Sequence, residues 1–170
     1  MEIKENYVFP IYIKKHIIEK IEKICKKNKL EVFGYLVGER YSWNNQGYII
    51  LNHSLYLKGA VHSDQYSVHE RGKKGLAEDV EFEFNKYSEE FDRLKEKEKN
   101  PNLLRLGWWH SHPNFGCFLS STDLTTQHSI FNENYHVALV VDPIQDNYKF
   151  FTLDENAKDG YKELSYAIIS

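Results

Sequence analysis

The sequence predicts a mixed α/β domain, a curved sheet flanked by about three helices, and three observations lead there. Strand-like segments, alternating or continuously apolar, recur along the chain. Between them stand stretches whose apolar residues step by three or four, as a helix face requires. No internal repeat, low-complexity tract or Pro/Gly-rich linker divides the 170 residues, so one domain over 1–170 is expected.

The elements follow in order. "YVFPIYI" (7–13) reads as a first strand. "KKHIIEKIEKICKKN" then sets Ile17, Ile18, Ile21, Ile24 and Cys25 on one helical face with lysines opposite. "EVFGYLVGER" (31–40) and "GYIILNHSLYL" (47–57) are strand-like, and Asn44-Asn45-Gln46-Gly47 between them is hairpin chemistry. Residues 58–74 show no clear period and read as a loop or broken strand. From Leu76, the residues Val80, Phe84, Tyr87, Phe91 and Leu94 predict an amphipathic helix of about five turns. Its charged end, "EEFDRLKEKEKN", is a solvated face. "LLRLGWWHSH" is a strand, and "STDLTTQHSIF" a short helix with a Ser/Thr start. "HVALVVDP", "YKFFTLD" and "YKELSYAII" each predict one further strand.

Composition narrows the function. Hydrophobic residues make up 41% and charged residues 28%, a globular balance. With 12 Tyr and 10 Phe, aromatic rings are expected to carry much of the packing. A net charge of -3 gives no reason to expect nucleic acid or an anionic membrane as partner. Cys25 and Cys117 form no CxxC pair and are expected to stay reduced. No signal-peptide run or membrane span is legible, so a soluble cytoplasmic protein is expected.

The chemistry concentrates in "GWWHSHPNFGCFLSSTDLTTQ" (107–127). Alternate residues of a strand share a face, so Leu104, Leu106, Trp108, His110 and His112 should line up, ending in two imidazoles. Pro113 ends the strand. Asp123 falls in the first turn of the next helix, where the helix dipole favours its carboxylate. Two imidazoles and one carboxylate make three protein ligands, the usual number for a catalytic zinc with its fourth position open. Ligand type alone also admits iron or nickel. A His-x-His pair by itself is a weak signal; Ser120 and Asp123 at fixed spacing sharpen it. A water on such an ion needs a carboxylate as its base. Glu31, at the entrance of an otherwise apolar strand, is the candidate, and Glu39, after Gly38 in an expected turn, is its competitor.

These residues resemble the JAMM (JAB1/MPN/Mov34) metalloprotease family in its active MPN+ form. The family pattern is an upstream glutamate, His-x-His-Pro, and a Ser-x-x-Asp, and this chain matches it with Glu31, His110, His112, Pro113, Ser120 and Asp123. The loop wording is closest to the deubiquitinating members of the proteasome lid and signalosome, with Trp109, Asn114 and Phe118 replacing tyrosine, glycine and tryptophan. Asn114 tolerates the left-handed backbone that glycine would supply. Cys117 follows the family as a packed loop thiol that does not bind the ion.

The resemblance implies a three-layer fold of the JAMM and cytidine-deaminase-like kind and one Zn²⁺ per chain held by His110, His112 and Asp123. It implies Glu31 as general base and Ser120 as oxyanion donor. The implied substrate is ubiquitin or a ubiquitin-like protein joined through its C-terminal glycine to lysine, with residues 58–74 as the insert that cradles the tail. No second insert follows Asp123, and His128 and His136 alone cannot rebuild the structural zinc of endosomal members. A minimal, stand-alone catalytic domain of the prokaryotic type is therefore expected, serving a ubiquitin-like conjugation system. The alternatives are a non-catalytic MPN scaffold and a JAMM peptidase that trims a sulfur-carrier protein.

Overall fold

The computed structural model describes residues 8–58 and 87–170. Pro10 has no N–H for a ladder, although its carbonyl accepts from the Ile49 N–H (3.0 Å). Strand β1 therefore starts after it, at Ile11–Lys14. Helix α1, Lys15–Lys27, buries Ile17, Ile18, Ile21 and Cys25 as the spacing predicts. It stops at Asn28, whose side-chain amide donates to the Ile24 carbonyl (2.8 Å). Strands β2 (Phe33–Trp43) and β3 (Gln46–Tyr56) form the expected hairpin. Its two central residues, Asn44 and Asn45, have φ of 48° and 63°, the left-handed pair that matches the twist of the strands.

Residues 87–98 are helical and form α2. The first half of that predicted helix and residues 59–74 of the irregular segment lie outside the described residues. Next come β4 (Leu104–Ser111), α3 (Ser121–Ile130), β5 (Val137–Asp142) and β6 (Asn147–Leu153). The "YKELSYAII" segment is two strands, β7 (Tyr161–Leu164) and β8 (Tyr166–Ile169), where one was expected. The physical reason is that their partners differ: β7 pairs antiparallel with β6, β8 parallel with β1.

All eight strands of the described residues join one mixed sheet in the order β7-β6-β5-β4-β2-β3-β1-β8. Its two edges are consecutive in the chain, with only Ser165 between them. A sheet whose edges are one residue apart must curl back on itself, and it is curved and nearly closed. One face packs on α1: Ile17, Ile21 and Cys25 meet Ile11, Leu36, Leu51, Leu106, Trp109 and Leu139. The other face gathers Phe33, Tyr35, Trp108, Val140 and Phe131 with Tyr87 and Phe91 of α2 and Leu124 of α3. Three layers result, and the predicted mixed α/β class holds. Among the described residues no helix is long and apolar enough to cross a membrane.

Simple alternation fails in β4. Leu36 of β2 faces Gly107 but Val37 faces Arg105, so Leu106 is the extra residue of a β-bulge. The bulge flips the phase: Leu106 packs on the α1 face, while Trp108 packs on the other. Arg105, before the bulge, lies over the rings of Tyr87 (4.9 Å) and Phe131 (5.0 Å) on that second face. Leu106 thus does not share the face of Trp108 and His110, contrary to the period-two expectation.

Gly34 makes room for Trp109 to cross β2 and reach Tyr56, ring to ring at 5.8 Å. A Cβ there would run into the Leu55 carbonyl and the Trp109 indole. Gly34→Val is expected to destabilise the chain by roughly 2–3 kcal/mol, the cost of overpacking, read as a lower urea midpoint with a red-shifted tryptophan emission.

Candidate metal centre

Strands β4 and β5 run parallel and are joined through α3, so their carboxyl ends open together at one side of the sheet. Such ends are where α/β sheets place ligands. His110 and Ser111 close β4, His112 follows, and Asp142 closes β5. The pairing continues past the strand end, because the His112 N–H donates to the Val141 carbonyl (2.8 Å).

Asp123 reaches this opening from α3. Ser120 caps that helix: its Oγ accepts from the Asp123 N–H (3.1 Å), and the Ser120 N–H donates to Asp123 Oδ2 (2.9 Å). This is a capping box, so the Ser-x-x-Asp spacing also has a purely structural role. The same Oδ2 lies 3.1 Å from His110 Nε2 and 3.1 Å from His112 Nε2. All three side chains are buried, and their donor atoms fall within 4.8 Å of one another.

The set fits a divalent ion. Donors at about 2.0–2.1 Å from a tetrahedral zinc stand roughly 3.3 Å apart, close to the separation from Asp123 to each imidazole. His112 Nδ1 sits 3.2 Å from the Gly116 carbonyl, to which its N–H donates, and this orients the ring with Nε2 towards Asp123. Burial works to lower the His112 pKa. The hydrogen bond and charge of Asp123, with the charge of Glu31 and the Gly116 carbonyl, outweigh it and raise the pKa above the ordinary value. His110 is stacked on Trp108 (4.2 Å between centroids), and Phe118 packs beside His112 (5.0 Å).

Glu31 arrives by strand pairing. Phe33 is registered against His110, which places Glu31 across from His112. Ser111, between the two histidines, holds Val32 twice: its N–H donates to the Val32 carbonyl, and its Oγ accepts from the Val32 N–H, both at 3.0 Å. Glu31 therefore precedes the strand and does not begin it, and its Oε2 is shut off from solvent. Its competitor Glu39 lies within β2, not in a turn, since β2 runs on to Trp43. Glu39 accepts from Asn100 Nδ2 (2.7 Å) and the Tyr41 hydroxyl (2.8 Å).

The other predicted side chains stand apart from the cluster. Cys117 is half-buried with its thiol 3.5 Å from the Asn147 carbonyl, and burial raises its pKa. His136 is buried and its Nδ1 accepts from the Glu133 N–H (3.1 Å); burial and the nearby Arg105 lower its pKa. His128 is exposed. His62 and His69 lie outside the described residues.

Sequence reasoning missed Asp142. Its Oδ1 accepts from the N–H groups of Asn114 (2.9 Å), Ile144 (3.0 Å) and Gln145 (3.0 Å), and its Oδ2 from Gly116 (2.8 Å). One buried carboxylate thus ties the loop after His112 to the end of β5. Asn114 and Gly116 both take positive φ, 65° and 83°, to point their N–H groups at it. The available signal was a lone acid ending the apolar run "VALVVD".

A family model described as JAB1/Mov34/MPN/PAD-1 ubiquitin protease matches residues 7–134, more than half of the chain. The chain belongs to this family. Among JAB1/Mov34/MPN/PAD-1 relatives is the ubiquitin carboxyl-terminal hydrolase RPN11 of Saccharomyces cerevisiae. It is 52% identical over 50 residues, 29% of this chain and 16% of that protein. COP9 signalosome complex subunit 5 of Neurospora crassa is 38% identical over 93 residues, 52% of this chain and 26% of that protein. The matched stretches thus span only 16% and 26% of the length of these relatives. The solution structure of a Desulfitobacterium hafniense protein shares the fold, with a TM-score of 0.60 at 18% identity. That match covers 94% of this chain and 92% of the other.

Burial raises the pKa of Asp142, but its four N–H donors outweigh that and hold it below the ordinary carboxylate value. A carboxyl depressed in the folded state stabilises above its unfolded pKa, and that stability is lost as pH falls through the folded pKa. Asp142→Asn is therefore expected to lower stability by about 2 kcal/mol at neutral pH, the scale of hydrogen bonds to a charged group. The gap to the wild type should close in acid, as thermal melts across pH will show.

Proposed function

We propose that this chain is a zinc-dependent peptidase that releases ubiquitin or a ubiquitin-like protein from its conjugates or precursor. The observation that carries the reading is the convergence of His110, His112 and Asp123 on one buried point, with Glu31 just beyond the Phe33–His110 pair that begins the β2–β4 ladder. Family membership and a relative named as a ubiquitin carboxyl-terminal hydrolase support the substrate class.

The residues divide the work. His110, His112 and Asp123 would hold the ion through two imidazoles and one carboxylate. Zinc, once bound, supplies a Lewis acid for the scissile carbonyl and a water of lowered pKa. Glu31 takes the proton of the attacking water and passes it to the departing lysine amine. Ser120 spends only a lone pair on its cap, so its O–H remains to donate to the oxygen on which charge develops. Phe115 and Phe118, 70% and 41% exposed on the loop beside His112, offer an apolar rim along which an extended tail can lie.

The test is cleavage of ubiquitin and ubiquitin-like conjugates by the purified chain, together with its metal content. One zinc per chain is expected, with activity lost to a chelator and restored by zinc. Glu31→Gln should keep its zinc and lose at least about 100-fold in turnover, the scale of a general base. A loss under roughly threefold, with the zinc in place, overturns Glu31 as the base. A chain that binds zinc and cleaves none of these substrates, or takes up no zinc, supports the scaffold alternative. Ser120→Gly separates the two roles of that serine. A glycine cap costs only about a few tenths of a kcal/mol, so the melting temperature should hold while kcat falls about 100-fold, the loss of an oxyanion donor.

A further inference from the structure

We propose that Gln127 is a positioning residue for the metal centre: it fixes the Trp108 indole, and through it the His110 imidazole, relative to Asp123. The inference rests on His110, His112 and Asp123 being the ligands, and adds a residue outside that set.

Helix α3 has an unusual inner face. Its two buried residues are Asp123 and Gln127, both polar and four apart. Residues i and i+4 of a helix are about 6 Å apart along its axis, and i and i+2 of a strand about 6.6 Å apart. The two repeats match, so α3 meets β4 in two rungs. In one, Asp123 Oδ2 faces His110 Nε2 at 3.1 Å; in the other, the Trp108 indole N–H donates to Gln127 Oε1 at 2.7 Å. Both residues of the second rung are fully buried, where water cannot replace a lost partner.

The Gln127 amide is oriented as well as placed. Its Nε2 donates to the Phe131 carbonyl (3.1 Å), so Oε1 has to point at the indole. The Phe131 N–H in turn donates to the Gln127 carbonyl (2.9 Å). The indole plane set in this way lies nearly parallel to the His110 ring, 17° and 4.2 Å away, and to the Phe131 ring, 8° and 5.9 Å away. An imidazole stacked on a fixed plane has little freedom to rotate. Gln127 therefore governs both the separation of α3 from β4 and the plane of one ligand.

Gln127→Met keeps the length of the side chain and removes both hydrogen bonds. Zinc affinity is read by competition with a chromophoric chelator at a temperature where the metal-free chain is folded, and ligand geometry by the visible spectrum of the cobalt form. The expected result is zinc binding weaker by about 10–100-fold, the range for partners that orient a ligand, with an altered cobalt spectrum. Trp108→Phe, which keeps a flat ring and removes the N–H, should weaken zinc binding too, and the double variant should be no worse than the poorer single one. If Gln127→Met fails to fold, Trp108→Phe carries the test alone. A lowered melting temperature with unchanged zinc affinity and an unchanged cobalt spectrum makes Gln127 a structural residue only and overturns the inference. A wild-type chain that takes up no zinc instead removes the ligand assignment itself, so the two failures are distinguishable.

Discussion

The constraint on which the rest depends is the pairing between the start of β2 and the end of β4, locked by Ser111. That residue is fully buried between His110 and His112, and its backbone and side chain both engage Val32. Two segments about eighty residues apart are thereby held in one register, with Glu31 across from His112. A slip of one residue would turn every side chain of the strand to the other face. The Leu106 bulge sets the phase in the same way. It lets Leu106 enter the α1 core while Trp108, two positions on, faces the aromatic layer and carries His110 with it.

Charge is buried at this end of the sheet in two different ways, each with its compensation on the page. Asp123 sits in the first turn of α3, where the helix dipole and the Ser120 N–H favour its carboxylate. It offers one oxygen to two imidazoles, an arrangement that could hold a divalent ion. Asp142 is satisfied by backbone alone, through four N–H donors from two loops. The first aspartate stands between two imidazoles, and the second ties down the loop from which the Gly116 carbonyl orients His112. The two are linked, since that carbonyl belongs to a residue whose N–H is held by Asp142.

Much of this was legible in the chain. Ile17, Ile18, Ile21 and Cys25 predict α1 because helical period is a local property. Asn44 and Asn45 predict the hairpin because few residues accept left-handed backbone at low cost. Asn114 was expected to take that conformation and does. The spacing of His110, His112 and Asp123 predicts a cluster because strand and helix geometry are short-range rules. Less legible were the Leu106 bulge, which depends on what β2 presents across the ladder, and the break at Ser165. That break reflects two different partner strands and nothing in "YKELSYAII" itself. Asp142 and Gln127 were not singled out, since the Asn114, Gly116 and Trp108 groups they bind lie in other elements.

By itself, then, the sequence determined which residues could serve as ligands and base, the family they resemble, and the helices and strands that carry them. These follow from side-chain chemistry and from periodicities of a few residues. Only the tertiary structure decided where the two candidate bases, Glu31 and Glu39, come to lie. Glu31 and Glu39 differ little as sequence, but Glu31 precedes β2, next to the Val32–Ser111 pairing and close enough for its charge to act on His112, whereas Glu39 lies within β2, bound to Asn100 and Tyr41. The physical reason is that a register between distant strands is chosen by the whole packed sheet, through the bulge, the Ser111 lock and the closure of its edges, and no local stretch contains that information.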